Sequence, residues 1–345
     1  MKIAGREIGP DAPPYVIAEL GVNHDGSLDR ALELVDAAAE AGADAVKVQV
    51  FRAEALMGRA ARLAAYQRAS GEADPVQMLR RLEMPAERLR LIAEHAHRRR
   101  LHAIATIFSV ELMDEAQALG FDAYKSASPD IVHRPLLEAM AGAGSPLIVS
   151  TGAATLDEVL RACAWLRGAA ESSRLALLQC VSAYPAPDED AALGAINTLA
   201  METRLPVGYS DHTAGVDTGG LAVAAGACLL EKHLTHDRRA KGPDHAASLE
   251  PEEFERYVRL AHRAQRMMGG TEKRVREAER DVREASRQSI VAARALAPGV
   301  AIGAADIAYK RPGVGLEPWR VGDVLGRTLV RFVDEGAPIT PEDIA

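Results

Sequence analysis

The sequence predicts a (β/α)₈ TIM barrel followed by a small, mostly β domain. Short apolar segments alternate with longer amphipathic segments through residues 1–268, and eight strand–helix pairs follow one another there. Eight such pairs in about 250 residues are typical of this barrel. A doubly wound open sheet is the alternative, but the N-terminal region lacks the glycine pattern of a dinucleotide-binding site.

The predicted strands are short and rich in valine, isoleucine, leucine and alanine. In chain order they span residues 15–24, 44–51, 102–108, 123–128, 146–152, 175–182, 206–212 and 228–235. The predicted helices have apolar residues at helical spacing, and Ser27 is a suitable N-cap for the first of them. They span residues 28–43, 86–98, 110–119, 133–143, 156–167, 190–200, 216–227 and 251–267.

Three further segments complete the predicted domain organisation. Residues 52–84 are longer than a usual connection between a strand and a helix, which predicts a partly helical lid or interface element. Residues 269–286 are strongly charged and predict a linker with a solvated helix. Residues 287–345 contain short apolar runs between turn residues, which predicts a β domain that would be marginally stable alone.

Composition narrows the class of protein. A net charge of −8, with 48% hydrophobic and 26% charged residues, is typical of a globular protein and argues against nucleic acid as a partner. No signal peptide or membrane span is recognisable, so we expect a cytoplasmic protein without a membrane partner. The three cysteines lie on apolar segments without metal-type spacing, which predicts buried thiols in a reducing compartment.

Two histidines end the last two predicted strands. His212 and His233 would lie at the C-terminal face of the barrel, where catalytic residues of this fold are found. Neighbouring parallel strands are about 4.8 Å apart, so both imidazoles can reach one metal ion. A single histidine at a strand end is more often structural. Two of them, close in sequence to Asp211, Glu231 and Lys232, favour a metal site.

Two lysines also lie near predicted strand ends. Lys47 and Lys125 are either solvated rim residues or, together with nearby serines and Gln49, parts of a site for phosphate or carboxylate. The charged loop 237–245 is either a simple turn or a substrate loop. These patterns predict a barrel enzyme with a divalent metal and an anion site, but they do not name a reaction.

The motifs that carry these residues resemble the sialic acid synthase family. They are AELGVNHDGSLDRA, AGADAVKVQVF, YKSAS, STGAAT, QCVSAYPAP, GYSDHTAG and EKHLTHDRRAKGPDHAASLEP. The segment RQSIVAARALAPGVAIGAADIAYKRPGVGL resembles the family's antifreeze-like, or SAF, domain. The resemblance implies a domain-swapped homodimer that condenses phosphoenolpyruvate with an N-acylated mannosamine-type sugar. N-acetylneuraminate is the product it favours, and legionaminic or pseudaminic acid, made from a dideoxy-diacetamido sugar, is the alternative.

The resemblance also implies roles for individual residues. His212 and His233 would bind a divalent metal, Mn²⁺ or Mg²⁺, and Glu19 matches an acidic residue at the reacting end. The positions that hold phosphoenolpyruvate are Lys47, Thr106, Lys125, Ser128, Ser150, Ser182 and Ser210, and the two lysines are, together with Glu19, also the catalytic candidates. The positions that bind the sugar are Gln49, Tyr184, Asp244, Asp130 in a place usually held by glutamate, and Arg311, which reaches the N-acyl group from the partner's SAF domain.

Some features depart from the family pattern or are left without a role. Ile107, Gln179 and Gln288 stand where proline, histidine and arginine are usual, which leaves the exact sugar open. His236 and His245 are expected to be loop residues, although His245 fits the sialic and legionaminic branches better than the pseudaminic one. Two other functions remain possible from the residues, a Schiff-base aldolase using Lys47 or Lys125 and a non-catalytic carbohydrate-binding protein.

Overall fold

The computed structural model describes residues 1–169 and 171–345. The chain divides into two compact units, Met1–Gly269 (unit 1) and Gly270–Ala345 (unit 2). Each unit has its own apolar core. The sequence predicts a linker over residues 269–286, and all of it except Gly269 falls within unit 2.

Within its described residues, unit 1 contains eight parallel strands that form a closed barrel. A hairpin of β1 (Lys2–Ile3) and β2 (Arg6–Glu7) precedes them. The barrel strands are β3 (Tyr15–Gly21), β4 (Ala45–Val50), β5 (His102–Ile107), β6 (Ala123–Ser126), β7 (Leu147–Ser150), β8 (Leu175–Cys180), β9 (Val207–Asp211) and β10 (Leu229–His233). Because β10 pairs with β3, the sheet has no free edge, and the prediction of a barrel over a doubly wound open sheet is confirmed.

Helices follow each strand. Those that come after the eight strands are α1 (Leu28–Glu40), α5 (Ala86–Arg98), α6 (Met113–Gln117), α7 (Arg134–Gly142), α8 (Leu156–Ala169), α9 (Ala195–Thr203), α10 (Thr218–Ala224) and α11 (Pro251–Met268). The insertion after β4 contains α2 (Ala53–Leu56), α3 (Ala65–Ala69) and α4 (Pro75–Leu82). Ser27 caps α1 as predicted, since its hydroxyl accepts a hydrogen bond from the Arg30 N–H at 3.3 Å.

Some predicted helices are shorter or divided. The helix predicted over 190–200 begins at Ala195, because Ala192 has a φ of +51° that no α-helix accommodates. The helix predicted over 110–119 opens with a 3₁₀ turn, Val110–Leu112, before α6. The charged segment before the SAF region is α-helical over α12 (Arg280–Ser286) alone, where no side chain is buried to stabilise a longer helix.

The barrel interior is arranged in an apolar layer and a polar layer. Ile17, Ala45, Ile104, Ala123, Ile148, Leu178 and Leu229 belong to one buried apolar cluster inside the barrel. Two residues further along the same strands lie Glu19, Lys47, Thr106, Lys125, Ser150, Cys180 and Glu231. Since alternate residues of a strand share a face, the strands present polar groups inward at their C-terminal ends. Val46, Val48 and Val50 point the other way and pack in the outer core against the helices.

Unit 2 is a small β domain with a continuous core. Its sheet pairs β11 (Ser289–Ala292) with β12 (Ile307–Lys310) in antiparallel fashion, and α13 (Val321–Val324) follows. Ile290, Ile302, Leu316 and Leu329 are among its buried apolar residues. Across the described residues of both units, none of the helices combines the length and the apolar character needed to cross a membrane.

Candidate active site

A cavity of about 490 Å³ opens at the C-terminal ends of the barrel strands. Pockets of several hundred Å³ are typical of sites for small molecules. Fourteen of the fifteen site residues predicted from the sequence line it: Glu19, Lys47, Gln49, Thr106, Lys125, Ser128, Asp130, Ser150, Ser182, Tyr184, Ser210, His212, His233 and Asp244. The fifteenth, Arg311, is an exposed residue of unit 2.

Two lysines and two carboxylates form the buried centre of the cavity. Lys47 Nζ lies 2.8 Å from Glu231 Oε1 and 3.1 Å from Glu19 Oε2. Lys125 Nζ lies 3.6 Å from the same oxygen of Glu231. All four side chains are almost fully buried, so the charged groups among them interact strongly with one another.

Burial and these neighbours shift the pKa values of the two carboxylates in opposite directions. Burial raises the pKa of Glu19 to about 7, although Lys47 acts in the opposite direction. Burial acts to raise the pKa of Glu231 as well, but Lys125 and Lys47 outweigh it and lower that pKa to about 2. Near neutral pH the two lysines therefore face only one fully ionised carboxylate, that of Glu231, an arrangement that attracts an anion.

Hydroxyl groups and a backbone N–H adjoin the lysines. Ser128 Oγ lies 3.0 Å from Ser150 Oγ and accepts a hydrogen bond from the Gly152 N–H at 3.0 Å. Thr106 Oγ1 is buried and has no hydrogen-bond partner among the described residues. A Cβ atom at Gly152 would lie 2.4 Å from Ser182 Oγ, so only glycine allows this close approach. Small donors beside two cations suit the oxygens of phosphate or carboxylate.

The two histidines lie side by side, with ring centroids 5.5 Å apart. His212 Nδ1 donates a hydrogen bond to the Val181 carbonyl at 2.8 Å, which leaves its Nε2 available for a ligand. His233 Nδ1 is buried without a hydrogen-bond partner among the described residues and lies 3.6 Å from Asp244 Oδ2. Burial and the neighbouring His212 hold the pKa of His233 well below its ordinary value, so its imidazole is neutral, as a metal ligand must be.

Cys180 is a further buried group of this region. Its Sγ lies 3.7 Å from His212 Nδ1. Burial opposes charge on both groups, but their mutual attraction prevails, lowering the pKa of the thiol to about 7 and raising that of His212. All three cysteines are free and buried, as predicted.

The histidine pair is not a complete metal site by itself. Among the described residues no group of three or more His, Cys, Asp or Glu side chains is arranged to hold a metal ion. His212 Nε2 and the buried Nδ1 of His233, which has no partner among the described residues, would fit an ion that takes its other ligands from water or substrate and displaces any proton from these nitrogens.

The sugar-binding candidates surround Glu19 and Asp244. Gln49 Nε2 donates a hydrogen bond to Glu19 Oε1 at 3.0 Å. Gly21 has a φ of +45°, and a Cβ atom there would lie 2.7 Å from Glu19 Oε1, so the chain needs glycine at this point. Burial raises the pKa of Asp244 to about 6 and also raises that of Asp130, whose Oδ2 has no hydrogen-bond partner among the described residues.

An aromatic stack joins the insertion after β4 to the histidines. The ring centroid of Tyr66, on α3, lies 4.7 Å from that of Tyr184. The ring centroid of Tyr184 lies 4.1 Å from that of His212. The sequence marked the insertion as a lid or interface element but assigned none of its residues to the site. The spacing of Met78 and Leu82 on α4 was the available signal, since residues four apart share a helix face.

Other residues lie away from the cavity. His245 is buried, its Nδ1 2.7 Å from Thr235 Oγ1 and its Nε2 3.2 Å from Asp25 Oδ1, so it holds loops together. The His236 ring packs 5.4 Å from the His245 ring. Ile107 and Gln179, two of the departures noted above, do not line the cavity either. They point outward from their strands, and the third departure, Gln288, lies in unit 2.

Comparisons with known proteins give matches to both parts of the chain. The profile of the NeuB family matches residues 34–273, and that of the SAF domain matches residues 287–345. The chain is 39% identical to the N,N'-diacetyllegionaminic acid synthase of Legionella pneumophila over 335 residues, covering 96% of this chain and 94% of that protein. It is 30% identical to the N-acetylneuraminate-9-phosphate synthase of Homo sapiens, covering 98% of this chain and 94% of that protein.

A solved structure gives a similar result. The crystal structure of N-acetylneuraminic acid (sialic acid) synthetase from Leptospira borgpetersenii, in complex with citrate, superposes with a TM-score of 0.75 at 33% identity. The match covers 82% of this chain and 94% of that chain.

Proposed function

The chain belongs to the NeuB family and carries a SAF domain, and on that premise we propose that it condenses phosphoenolpyruvate with an N-acylated mannosamine-type sugar. The products are a nonulosonic acid and inorganic phosphate. The family consists of nonulosonic acid synthases, which are phosphoenolpyruvate-using transferases.

The observation that carries the proposal is the meeting of an anion site and a histidine pair in one cavity. Lys47 and Lys125 share the Glu231 carboxylate beside the Ser128–Ser150 hydroxyls, which suits the phosphate and carboxylate groups of phosphoenolpyruvate. His212 and His233 border the same cavity and suit the carbonyl end of the acceptor sugar. The reaction needs these two groups side by side.

The reaction forms one carbon–carbon bond and replaces the carbon–oxygen bond to phosphate with one from water. The methylene carbon of phosphoenolpyruvate attacks the aldehyde carbon of the open-chain sugar, and the aldehyde oxygen takes up a proton to become a hydroxyl. Water adds to the former enol carbon and gives up a proton, after which phosphate leaves from that carbon. Lys47 and Lys125 hold the anion in place and offset its charge throughout.

Glu19 is the candidate for moving protons in this sequence. With a pKa of about 7, its carboxyl group is able to hold a proton in the buried site near neutral pH. It donates that proton to the aldehyde oxygen and then, as a carboxylate, accepts one from the attacking water. A pKa close to the working pH is what a group that acts first as acid and then as base requires.

His212 and His233 would hold the divalent ion, Mn²⁺ or Mg²⁺. When bound, such an ion supplies Lewis acidity to the aldehyde oxygen. The buried, partnerless Nδ1 of His233 and the free Nε2 of His212 support this assignment. His233→Ala should weaken Mn²⁺ binding, measured by calorimetry without substrates, whereas the same change at His236, outside the cavity, should not. Equal Mn²⁺ affinity of the two variants would contradict the assignment of His233 as a metal ligand.

Arg311 and the dimer complete the proposal. In a domain-swapped homodimer the SAF domain of one chain would bring Arg311 to the N-acyl group of the sugar bound by the other.

For the acceptor itself, the 39% identity to a diacetyllegionaminic acid synthase supports a dideoxy-diacetamido sugar ahead of the N-acetylmannosamine favoured by the motifs.

A phosphate-release assay tests the proposed function. With phosphoenolpyruvate, Mn²⁺ and either N-acetylmannosamine or the dideoxy-diacetamido sugar, we expect phosphate release that stops when EDTA removes the metal. Omission of the sugar should also stop it. Absence of phosphate release with both sugars would overturn the proposal.

One observation favours a second candidate function, a Schiff-base aldolase. Burial lowers the pKa of Lys125, which favours the neutral amine that attacks a carbonyl. Borohydride reduction in the presence of pyruvate distinguishes the two reactions. Covalent trapping at Lys125, together with turnover that EDTA leaves unchanged, would establish the aldolase and exclude the synthase.

A further inference from the structure

The insertion after β4, residues 52–84, forms an apolar wall of the active-site cavity, and we call it the cap. Leu63, Met78 and Leu82 of the cap are buried with Val22 and Phe51 in an apolar cluster distinct from the barrel core. Leu56, Leu79 and Phe108 pack against that cluster. All of these side chains except Leu63 also line the cavity. The cluster is therefore both the core of the cap and a surface offered to a ligand.

No charged residue of the cap contributes to this wall. The cap carries ten charged side chains, and none of them lines the cavity. Several are paired elsewhere, including Arg80 with Glu54, Arg81 with Glu72 and Arg52 with Glu115. Tyr66 and Gln67 are the polar residues that the cap contributes to the lining. A phosphate bound here would have no cation from the cap to offset its charge, and burying an unpaired charge is costly.

The cap adjoins the acceptor side of the cavity rather than the anion site. Tyr66 stacks on Tyr184, which in turn stacks on His212. Burial and the nearby Asp244 charge raise the pKa of Tyr66, a second sign that the cap reaches the sugar-binding candidates. An acceptor that reaches from the histidine pair to the cap would meet these cap residues with its far end.

We propose, resting on the proposed function, that the cap selects an acceptor whose far end is uncharged and ends in a methyl group. This description fits the dideoxy-diacetamido sugar when its terminal carbon is also deoxygenated to a methyl group, and that terminally deoxygenated form is the acceptor used below. It disfavours N-acetylmannosamine, which ends in a hydroxymethyl group, and more strongly its terminal phosphate ester. Met78 and Leu79 of α4 are the specificity-determining residues, because both line the cavity and contribute side chains without hydrogen-bonding groups.

The expected preference follows from pocket energetics. Placing a hydroxyl against an apolar wall without a partner typically costs about 1–3 kcal/mol, so kcat/KM for N-acetylmannosamine should be about 10-fold to 100-fold lower. The phosphate ester should be a still poorer acceptor, because its charge is more costly to bury. Leu79 is half-buried, so a polar replacement there should disturb folding less than one at Met78.

The experiment measures kcat/KM for the three acceptors with the wild type and with Met78→Gln, Leu79→Gln and Leu63→Gln. The wild type should prefer the dideoxy-diacetamido sugar, and Met78→Gln and Leu79→Gln should each narrow its advantage over N-acetylmannosamine by about 10-fold. Leu63→Gln is the matched control, because Leu63 belongs to the same cluster but does not line the cavity. In Leu63→Gln the ratio of kcat/KM for the dideoxy-diacetamido sugar to kcat/KM for N-acetylmannosamine should equal that of the wild type, even if the variant is less stable.

The outcomes separate the two proposals. Turnover of none of the three sugars overturns the proposed function. Turnover of N-acetylmannosamine or its phosphate as efficiently as the dideoxy-diacetamido sugar leaves the proposed function standing and overturns the selection by the cap. Equal changes of the ratio in Leu79→Gln and Leu63→Gln overturn the assignment of specificity to α4. If Met78→Gln does not fold, the wild-type ratio and the Leu79→Gln variant decide the question.

Discussion

Glu231 Oε1 accepts a hydrogen bond from Lys47 Nζ at 2.8 Å, across 184 residues of sequence. The same oxygen lies 3.1 Å from Ser210 Oγ and 3.6 Å from Lys125 Nζ. One buried carboxylate thus holds both cations of the anion site in place. An arriving phosphoenolpyruvate meets ammonium groups that are already oriented, which is the arrangement that electrostatic catalysis favours.

Replacing this carboxylate should destabilise the protein. Glu231→Gln leaves two buried ammonium groups with Glu19 alone as a carboxyl partner, and the free energy of unfolding should fall by about 3–5 kcal/mol. Urea unfolding measures the loss. Phosphoenolpyruvate should raise the Tm of the variant more than that of the wild type, because the ligand replaces the missing negative charge. Glu138→Gln, which breaks an exposed pair with Arg134, is the control, and equal stability of the two variants would contradict the role of Glu231.

Stability should depend on pH through Glu19. The pKa of this carboxyl group is raised from 4.5 to about 7 in the folded chain, mainly by burial. Between those pH values the unfolded chain releases a proton that the folded chain keeps, so the contribution of Glu19 to stability declines as pH rises through this window. The Glu19→Gln variant has no ionisable group at this position. Its free energy of unfolding, relative to that of the wild type, should therefore rise by on the order of 3 kcal/mol between pH 4.5 and 7.

Urea unfolding of both proteins across this pH range measures that difference. Below pH 4.5 and above pH 7 the difference should stay constant, because both states of the wild type then have the same protonation of this group. A difference that does not change between pH 4.5 and 7 would show that Glu19 is not perturbed by its surroundings.

Gly152→Ala should weaken phosphoenolpyruvate binding specifically. The new methyl group would lie 2.4 Å from Ser182 Oγ and 2.7 Å from Ser128 Oγ, and would push both hydroxyls from their positions. We expect the KM for phosphoenolpyruvate to rise by roughly 10-fold or more, with a smaller change in the KM for the sugar. The control is Gly168→Ala on the exposed face of α8, where a Cβ meets no atom of the described residues within 4 Å. An unchanged KM for phosphoenolpyruvate in Gly152→Ala would show that these serines do not bind this substrate.

The domain-swapped dimer can be tested by mixing two inactive chains. His233→Ala and Arg311→Ala should each lose most activity alone. Co-expressed, they form heterodimers in which one barrel retains His233 and receives Arg311 from the other chain, so activity should return to roughly a quarter of the wild-type value. Lys310→Ala, an exposed neighbour in β12, is the control for Arg311. No recovery on co-expression would place Arg311 in the site of its own chain or outside any site.

Much of the barrel could be predicted because it depends on local patterns. The alternation of Lys47 and Gln49 with three valines indicates which face of β4 points inward, and each of the other strands carries a comparable apolar run. The start of α9 could not be predicted, since it depends on a positive φ at Ala192, a residue type that ordinarily favours helix.

The candidate site was harder to predict where it depends on tertiary contacts. Glu231 is visible in the sequence as a polar residue near a strand end, but its pairing with Lys47 and Lys125 joins three strands that are distant along the chain. Met78 and Leu82 show the spacing of a buried helix face, yet that spacing does not distinguish packing against a core from facing a cavity. The contribution of the cap therefore emerged from the three-dimensional structure alone.

The most direct test of the central claim uses phosphoenolpyruvate labelled with oxygen-18 between the enol carbon and phosphorus. In the presence of Mn²⁺ and the dideoxy-diacetamido sugar, mass spectrometry of the released phosphate reports which bond breaks. A condensing synthase should release phosphate only when the sugar is present, and that phosphate should carry the label because the carbon–oxygen bond is cleaved. Phosphate that lacks the label, or that appears equally without the sugar, would contradict the proposed reaction.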